Sequence, residues 1–354
     1  MNFRYLYLLW FLLLSGIIIS CKTTHKPSGV SNSKMEEIYQ TVKTPYKYGV
    51  VFQHPDSTKM MDSPSVFRWN GQWCMTYIIF DGRGYETWLA ESDDLIHWTS
   101  KGRILSFTDS GWDANQKAGY MALLDTRWAG EYTPAAYNGK YWMSYLGGSV
   151  SGYEAGQLGV GIANTTDPGN AVEWQRMPGH VLSANDKDAR WFENKTIFKS
   201  TVIKDDKRHT GHLFVMYYNA AGDTASYESI GMAVSDDMIH WSRYGKDPVI
   251  SRYKKGTISG DAQIVQIGNL YVMFYFGAFW NEEGKAFDRF ACSYDLIHWT
   301  DWSGPDLIRP SEPYDETFAH KPFVIKWKGV VYHFYNAVGK NGRVIALATS
   351  APLK

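Results

Sequence analysis

The heptad Ser92-Asp93-Asp94-Leu95-Ile96-His97-Trp98 returns as Ser235-Asp236-Asp237-Met238-Ile239-His240-Trp241 and again as Ser293-Tyr294-Asp295-Leu296-Ile297-His298-Trp299. A motif recurring at intervals of tens of residues commits a chain to similar units packed side by side, because one such unit cannot bury its apolar face alone. A degenerate copy, from Thr165-Thr166-Asp167-Pro168 to Glu173-Trp174, falls between the first two. The closing tryptophans Trp98, Trp174, Trp241 and Trp299 therefore stand 76, 67 and 58 residues apart, a spacing that suits a four-stranded unit with its loops. Ser and Asp in the heptad predict a turn held by side chains, and Trp predicts packing between units. His97, His240 and His298 recur in register with the fold, which assigns them to structure rather than chemistry.

Each copy closes a cassette of strand, turn and aromatic strand. The first runs from Asp62-Ser63-Pro64-Ser65 through Asn70-Gly71 to Tyr77, and Asn-Gly between alternating apolar runs is the strongest short hairpin signal. The second runs from Glu131-Tyr132-Thr133-Pro134 through Asn138-Gly139 to Tyr145. The third opens at Glu193 and continues through Leu213 to Tyr218, the fourth spans Asp261 to Tyr275, and the fifth runs from Glu316 through Lys328-Gly329 to Tyr335. Five cassettes predict an all-β fold, a five-bladed β-propeller of four-stranded antiparallel blades whose first strands line a central channel.

The ends of the chain read differently. Met1 to Ser20 is a short charged start followed by an apolar core, the pattern of a secretory signal, and Ile18-Ile19-Ser20-Cys21 resembles a lipobox that would leave Cys21 acylated. Residues 21–45 are read as the lipidated cysteine and a flexible polar tether, and 46–354 as one domain. An exported, lipid-anchored protein is expected, touching a membrane through that anchor alone. The 36 basic and 36 acidic residues cancel, which leaves no electrostatic footprint for nucleic acid. Cys74 and Cys292 lie in apolar strand-like runs and predict buried thiols rather than a disulfide framework. A monomer is expected.

Aromatic residues make up 16% of the chain, with 15 Trp and 24 Tyr, a composition that serves both β cores and stacking on sugar rings. Beyond structural need, every cassette opens with a carboxylate: Asp62, Glu131, Glu193, Asp261 and Glu316. Inner strands of a propeller converge, so these acids are expected to meet at one end of the channel, where like charges raise one another's pKa. Trp69, Trp128, Trp191 and Trp280 are candidate stacking platforms, and His320 with Lys321 marks the mouth of the last blade.

Over residues 46–352 the chain resembles the five-bladed propeller glycosidases of families 43, 32, 62, 117 and 130. Asp62-Ser63-Pro64-Ser65-Val66 followed by Asn70-Gly71 is similar to the first-blade motif of family 43, in which that Asp is the general base, a later Asp tunes the pKa and a Glu is the general acid. The resemblance implies Asp62 as base, Glu193 as acid and Asp261 as the tuning residue, with Glu193 and Asp261 interchangeable. Glu131, Glu316, His320 and Lys321 would then bind substrate. It implies hydrolysis of a glycosidic bond in an oligo- or polysaccharide of the arabinofuranoside or xyloside kind. Inversion is expected if the two carboxyls stand about 6.5–9.5 Å apart. No cofactor is required, and no metal site is assigned, although a central structural ion such as calcium would suit the channel. Asp261-Ala262-Gln263-Ile264 is also similar to a motif of the family 130 mannoside phosphorylases and mannosidases, where Arg190, Lys195, Lys199 and Lys321 could hold phosphate. A non-catalytic sugar-binding propeller is the remaining alternative.

Overall fold

A computed structural model of the protein describes residues 29–340 and 342–353. The signal core and the lipidation reading at Cys21 lie outside the described residues. Among those described, no helix is long and apolar enough to cross a membrane.

Among the described residues one helix, α1 (Asn32–Val42), precedes the strands. Ser31 caps it by accepting from Lys34 N at 3.4 Å. Met35, Ile38 and Val42, one face at helical spacing, are buried against Val265, Leu270, Val272, Phe290 and Trp302, and Tyr39 stacks on Trp302 at 5.3 Å. Residues 32–42 are thus a docked helix, which corrects the expectation of a flexible tether over 21–45. The polar residues between the apolar ones are simply its solvent face.

After β1 (Tyr46–Phe52) the strands form antiparallel meanders. The first comprises β2 (Met60–Trp69), β3 (Gln72–Phe80), β4 (Tyr85–Ser92) and β5 (Thr99–Leu105). The second comprises β6 (Gln116–Met121), β7 (Tyr141–Gly148), β8 (Leu158–Thr165) and two short strands, β9 (Gln175–Arg176) and β10 (Leu182–Ser183), both on β8. The third is β11 (Thr196–Lys204), β12 (Phe214–Ala221), β13 (Glu228–Ser235) and β14 (Ser242–Arg243). The fourth is β15 (Ile258–Ile267), β16 (Leu270–Ala278), β17 (Ala286–Ser293) and β18 (Thr300–Asp301). The last is β19 (Phe318–Trp327), β20 (Val330–Gly339) and β21 (Gly342–Thr349), completed by β1 from the start of the chain. β2 packs against β19, β20 and β21, so the last meander meets the first.

Faces of neighbouring meanders are stacked on each other, which explains why β16 is buried at every position and reads as a continuous apolar run. Cys74 and Cys292 are buried free thiols within this packing. At the β2–β3 turn Asn70 and Gly71 both take positive φ, 49° and 86°, as a tight two-residue hairpin demands.

The three heptads fold alike. Ser92 Oγ accepts from Asp94 N and Leu95 N at 3.2 and 3.0 Å, and Asp94 Oδ1 accepts from Ile96 N and His97 N at 2.9 and 2.8 Å. Trp98 Nε1 donates to Leu95 O. The same Asp-to-His and Trp-to-backbone bonds recur at Asp237 and Asp295. The histidine rings point to solvent, each bonded to its own Asp at 2.7 Å, in a turn motif outside the pocket lining described below.

The second cassette needs correction. Its inner strand is β6, and residues 122–140, including Glu131 to Tyr137, form an excursion across the far end of the molecule. Leu123 N donates to Val202 O, Trp128 N to Gln266 O, and Arg68 N to Tyr132 O. Tyr132 and Pro134 imitate a strand opening, but Tyr132 O is taken by Arg68 N of the first meander and Pro134 bridges to Leu124 within the excursion itself.

Candidate active site

Four inner strands carry a β-bulge at the same level: between Asp62 and Ser65, Ile197 and Ser200, Gly260 and Gln263, and His320 and Phe323. The extra residue breaks the ladder and re-aims the side chains beside it. Ser63, Asp261 and Lys321 take positive φ there (49°, 57° and 61°) although none is glycine, strain of a kind that concentrates at functional sites. The bulges put Asp62, Gly260 and His320 at one level and Ser63, Asp261 and Lys321 at the next.

Over this level opens a pocket with about 770 Å³ of empty space, its open mouth included. Tyr85, Tyr120, Tyr153, Phe198, Phe276 and Phe318 supply aromatic walls, and Lys199, Lys321, His320 and Arg343 supply polar groups. Asp62 lies directly beneath. Its Oδ2 accepts from Lys321 Nζ at 2.8 Å and Arg343 Nη1 at 2.7 Å, and its Oδ1 from Ser63 N at 2.7 Å. Burial works against the charge, but the Lys321 and Arg343 cations outweigh it and hold the Asp62 carboxyl well below the usual carboxylate range. Asp261 Oδ1 accepts from Asn219 Nδ2 at 2.7 Å, and its Oδ2 lies 3.2 Å from Lys199 Nζ. The Lys199 cation also sits 4.5 Å from the Tyr120 ring centroid.

His320 Nδ1 lies 3.1 Å from Asn336 O, a carbonyl that can only accept, so this nitrogen carries the ring proton. Burial, then the Lys321 charge, push the imidazole down to about 3. The ring is neutral at physiological pH, and Nε2 is left as an acceptor.

Two further carboxylates line the pocket, and neither opens a cassette. Glu154, on the β7–β8 connection, accepts from Tyr85 OH at 3.2 Å. Burial raises its carboxyl; the Asp62 charge adds to this and Lys321 opposes it. Glu228, the first residue of β13, is pushed up to about 8, first by burial and then by the charges of Glu154 and Asp261. Pocket carboxyls whose proton affinity is raised by burial and by a neighbouring carboxylate are the kind of groups that acid–base chemistry uses.

The remaining expectations divide. His320, Lys321 and Asp261 line the pocket, and Asp62 underlies it. Glu193 does not reach it. It is fully buried in the third meander, where Arg190 Nη2 donates to it at 2.8 Å and Tyr218 OH at 2.7 Å, and Arg243 Nε also donates. Burial opposes its charge, but the Arg190 hydrogen bonds and charge win, so the Glu193 carboxyl is held below its ordinary value. That is the opposite of what a general acid needs, and Glu193 is a structural anion. Glu131 is exposed at the far end of the molecule and paired with Arg68. Glu316 is exposed in a shallow depression beside Lys285 and Glu312. Convergence of all five acids is therefore corrected to convergence of two.

None of the four tryptophans lines the pocket. Trp69, at the far end of β2, packs edge-on to Tyr141, Trp128 of the 122–140 excursion lies near Phe274, and Trp280 is anchored by Ile258 O at 2.7 Å. Trp191 is exposed and meets Tyr227 edge to face. Among the described residues no group of three or more His, Cys, Asp or Glu is placed to hold a metal ion.

No protein-family model matches the chain, and no curated protein matches it. Two solved structures share about half their residues with it. A structure of BT0996 in an RGII complex is 49% identical over 92% of this chain and 96% of that one, with a TM-score of 0.89. A glycoside hydrolase is 48% identical over the same shares of both chains, also with a TM-score of 0.89. A thermostable family-43 glycoside hydrolase shares the fold, with 15% identity over 83% of this chain and 94% of that one and a TM-score of 0.60.

Proposed function

The chain belongs to the propeller glycoside hydrolase superfamily, and from that premise we propose that Glu154 and Glu228 are its acid–base pair, releasing a terminal sugar from an oligosaccharide. The observation that carries this is the raised proton affinity of two carboxyls in one aromatic-walled pocket. We take the five meanders as the blades of one ring, with the pocket at one mouth of its channel.

In this reading Glu228, protonated at neutral pH, gives its proton to the leaving oxygen. Glu154, with Lys321 favouring its charge, acts on the other side of the bond. Asp62 replaces the role expected of a base with a positioning one: ionised and spent on two cations, it fixes Lys321 and Arg343 as donors to sugar hydroxyls. Lys199 is fixed in the same way by Asp261. Because Lys199 and Lys321 are both committed to carboxylates, hydrolysis is favoured over phosphorolysis, and added phosphate should leave the rate unchanged. The RGII complex of BT0996 supports an oligosaccharide of that kind as substrate. The same reading takes the protein as an exported lipoprotein held through Cys21, for which fatty-acid labelling lost in Cys21→Ser is the test.

Purified protein should release sugar from an RGII oligosaccharide without phosphate, and Glu228→Gln and Glu154→Gln should each lower kcat by about 10²–10⁴-fold. Retention of the parent kcat in either variant would sink the assignment. The anomer of the first product, followed by NMR, reports the mode of attack: inversion means a water between sugar and Glu154, retention means direct attack by the carboxylate.

A further inference from the structure

Tyr227, the residue before the pocket residue Glu228, is the middle of three aromatic rings in contact, a ladder on the surface. Trp191 and Tyr227 meet edge to face at 6.4 Å, and Tyr227 and Tyr253 do so at 6.0 Å. Trp191 is 41% and Tyr253 58% exposed. Single exposed aromatics are ordinary, but a contiguous row of them is not.

The ladder is held in place rather than left loose. Trp191 Nε1 reaches Asp247 Oδ1 at 3.3 Å, which sets the plane of the indole. Glu228 N donates to Thr257 O and Gly256 N to Ser226 O, which clamps the Tyr227 connection to the loop bearing Tyr253. Ser226 and Tyr253 both take positive φ, 53° and 52°. Tyr253 is a bulky residue in the left-handed region that is more than half exposed, so its one ring contact and partial burial offset little of the backbone cost.

Its position gives it a direction. Tyr227 immediately precedes Glu228, and an acid that protonates a leaving oxygen stands on the leaving-group side of the scissile bond. Aromatic faces stack on the apolar faces of sugar rings and tolerate different sugars. We infer that Trp191, Tyr227 and Tyr253 bind the sugar rings on the leaving-group side of the bond, so that this enzyme selects its substrate by the sugars behind the terminal one as well as by that terminal sugar. The inference rests on Glu228 being the acid.

The test compares two substrates with the same terminal sugar: the RGII oligosaccharide and the methyl glycoside, whose leaving group is too short to reach the ladder. In Trp191→Ala and Tyr253→Ala the ratio of kcat/KM on the oligosaccharide to that on the glycoside should fall about tenfold for each ring, mostly through KM. Trp191→Tyr and Tyr253→Trp should restore it. An unchanged ratio, or an equal loss on both substrates, would overturn the inference. Calorimetry of the RGII oligosaccharide with the Glu228→Gln protein separates this from the assignment of the acid: binding there should weaken about tenfold when Trp191→Ala is added. Equal binding would reject the ladder whatever Glu228 does, and full turnover by Glu228→Gln would reject the acid whatever the ladder does.

Discussion

Glu228 keeps its proton at neutral pH because it is buried and faces the charges of Glu154 and Asp261. The activity of a protonated acid is lost as pH rises through its pKa, so the rate should fall above about pH 8. On the acid side the rate should fall as Glu154 takes up a proton, above the ordinary glutamate range because its carboxyl is raised. A kcat/KM profile from about pH 4 to 10 reads both limbs, and an alkaline limb that survives in Glu228→Gln would belong to another group. The same shift has a consequence for folding. A carboxyl raised in the folded state favours folding at low pH, and this contribution is lost as pH rises from the unfolded value toward about 8. Glu228→Gln should therefore stabilise the protein at about pH 9 relative to the parent and not at about pH 4, as measured by urea unfolding at both. Glu193 shows the opposite use of a glutamate. Its removal takes the carboxylate partner from the nearly buried Arg190 guanidinium, whereas Arg243 keeps Asp186 and Asp188, so Glu193→Gln should cost about 3 kcal/mol of stability, while the folded fraction keeps its turnover. Loss of turnover in stably folded Glu193→Gln would return that residue to the chemistry.

At the scale of elements, what could be read from the sequence was what repeats. The heptads mark where meanders close because Ser, Asp and Trp all bond to backbone within six residues, so the motif carries its own geometry. Asn70-Gly71 marks the β2–β3 turn for the same local reason. The bulges are not local: which residue is extra depends on the strand opposite, so Asp62 and Asp261, equivalent as cassette openings, stand one position apart. Glu154 lies on a connection and Glu228 after a loop, in no repeating pattern, and only the fold brings them to one pocket. A raised carboxyl has no signature in sequence, because burial is a property of the neighbours. The helix did carry a signal, Met35, Ile38, Tyr39 and Val42 at i, i+3, i+4 and i+7, masked by a mostly polar segment. Ile38 is buried at the end of the molecule away from the pocket, near Leu270 and Val331. Ile38→Ala should cost about 2–5 kcal/mol by urea unfolding and leave KM unaltered. A change within about 0.5 kcal/mol would mean that α1 is not docked in solution.

For the whole molecule, the site depends on how the chain's start meets its end. β1 supplies the outer strand of the last meander, with Val50 opposite Ala346 and Phe52 opposite Ile345. β21 carries Arg343, which bonds Asp62 on β2 and Tyr153 beyond β7, and Asn336 of β20 donates to Met61 O at 2.8 Å. One cation on the last meander therefore ties together the first two across the pocket floor, and its strand is held on one side only by residues 46–52. Without β1 the β21 edge is unpaired, and the unsatisfied backbone groups invite fraying or association. A protein beginning at residue 53 should unfold at lower urea and bind substrate more weakly, the two losses appearing together. One beginning at residue 45 lacks α1 but keeps β1, so it should lose stability without losing affinity. If the shorter protein, where it still folds, binds the RGII oligosaccharide as the parent does, then Arg343 is positioned by β20 and Asp62 alone, and the closing strand serves stability and not the site.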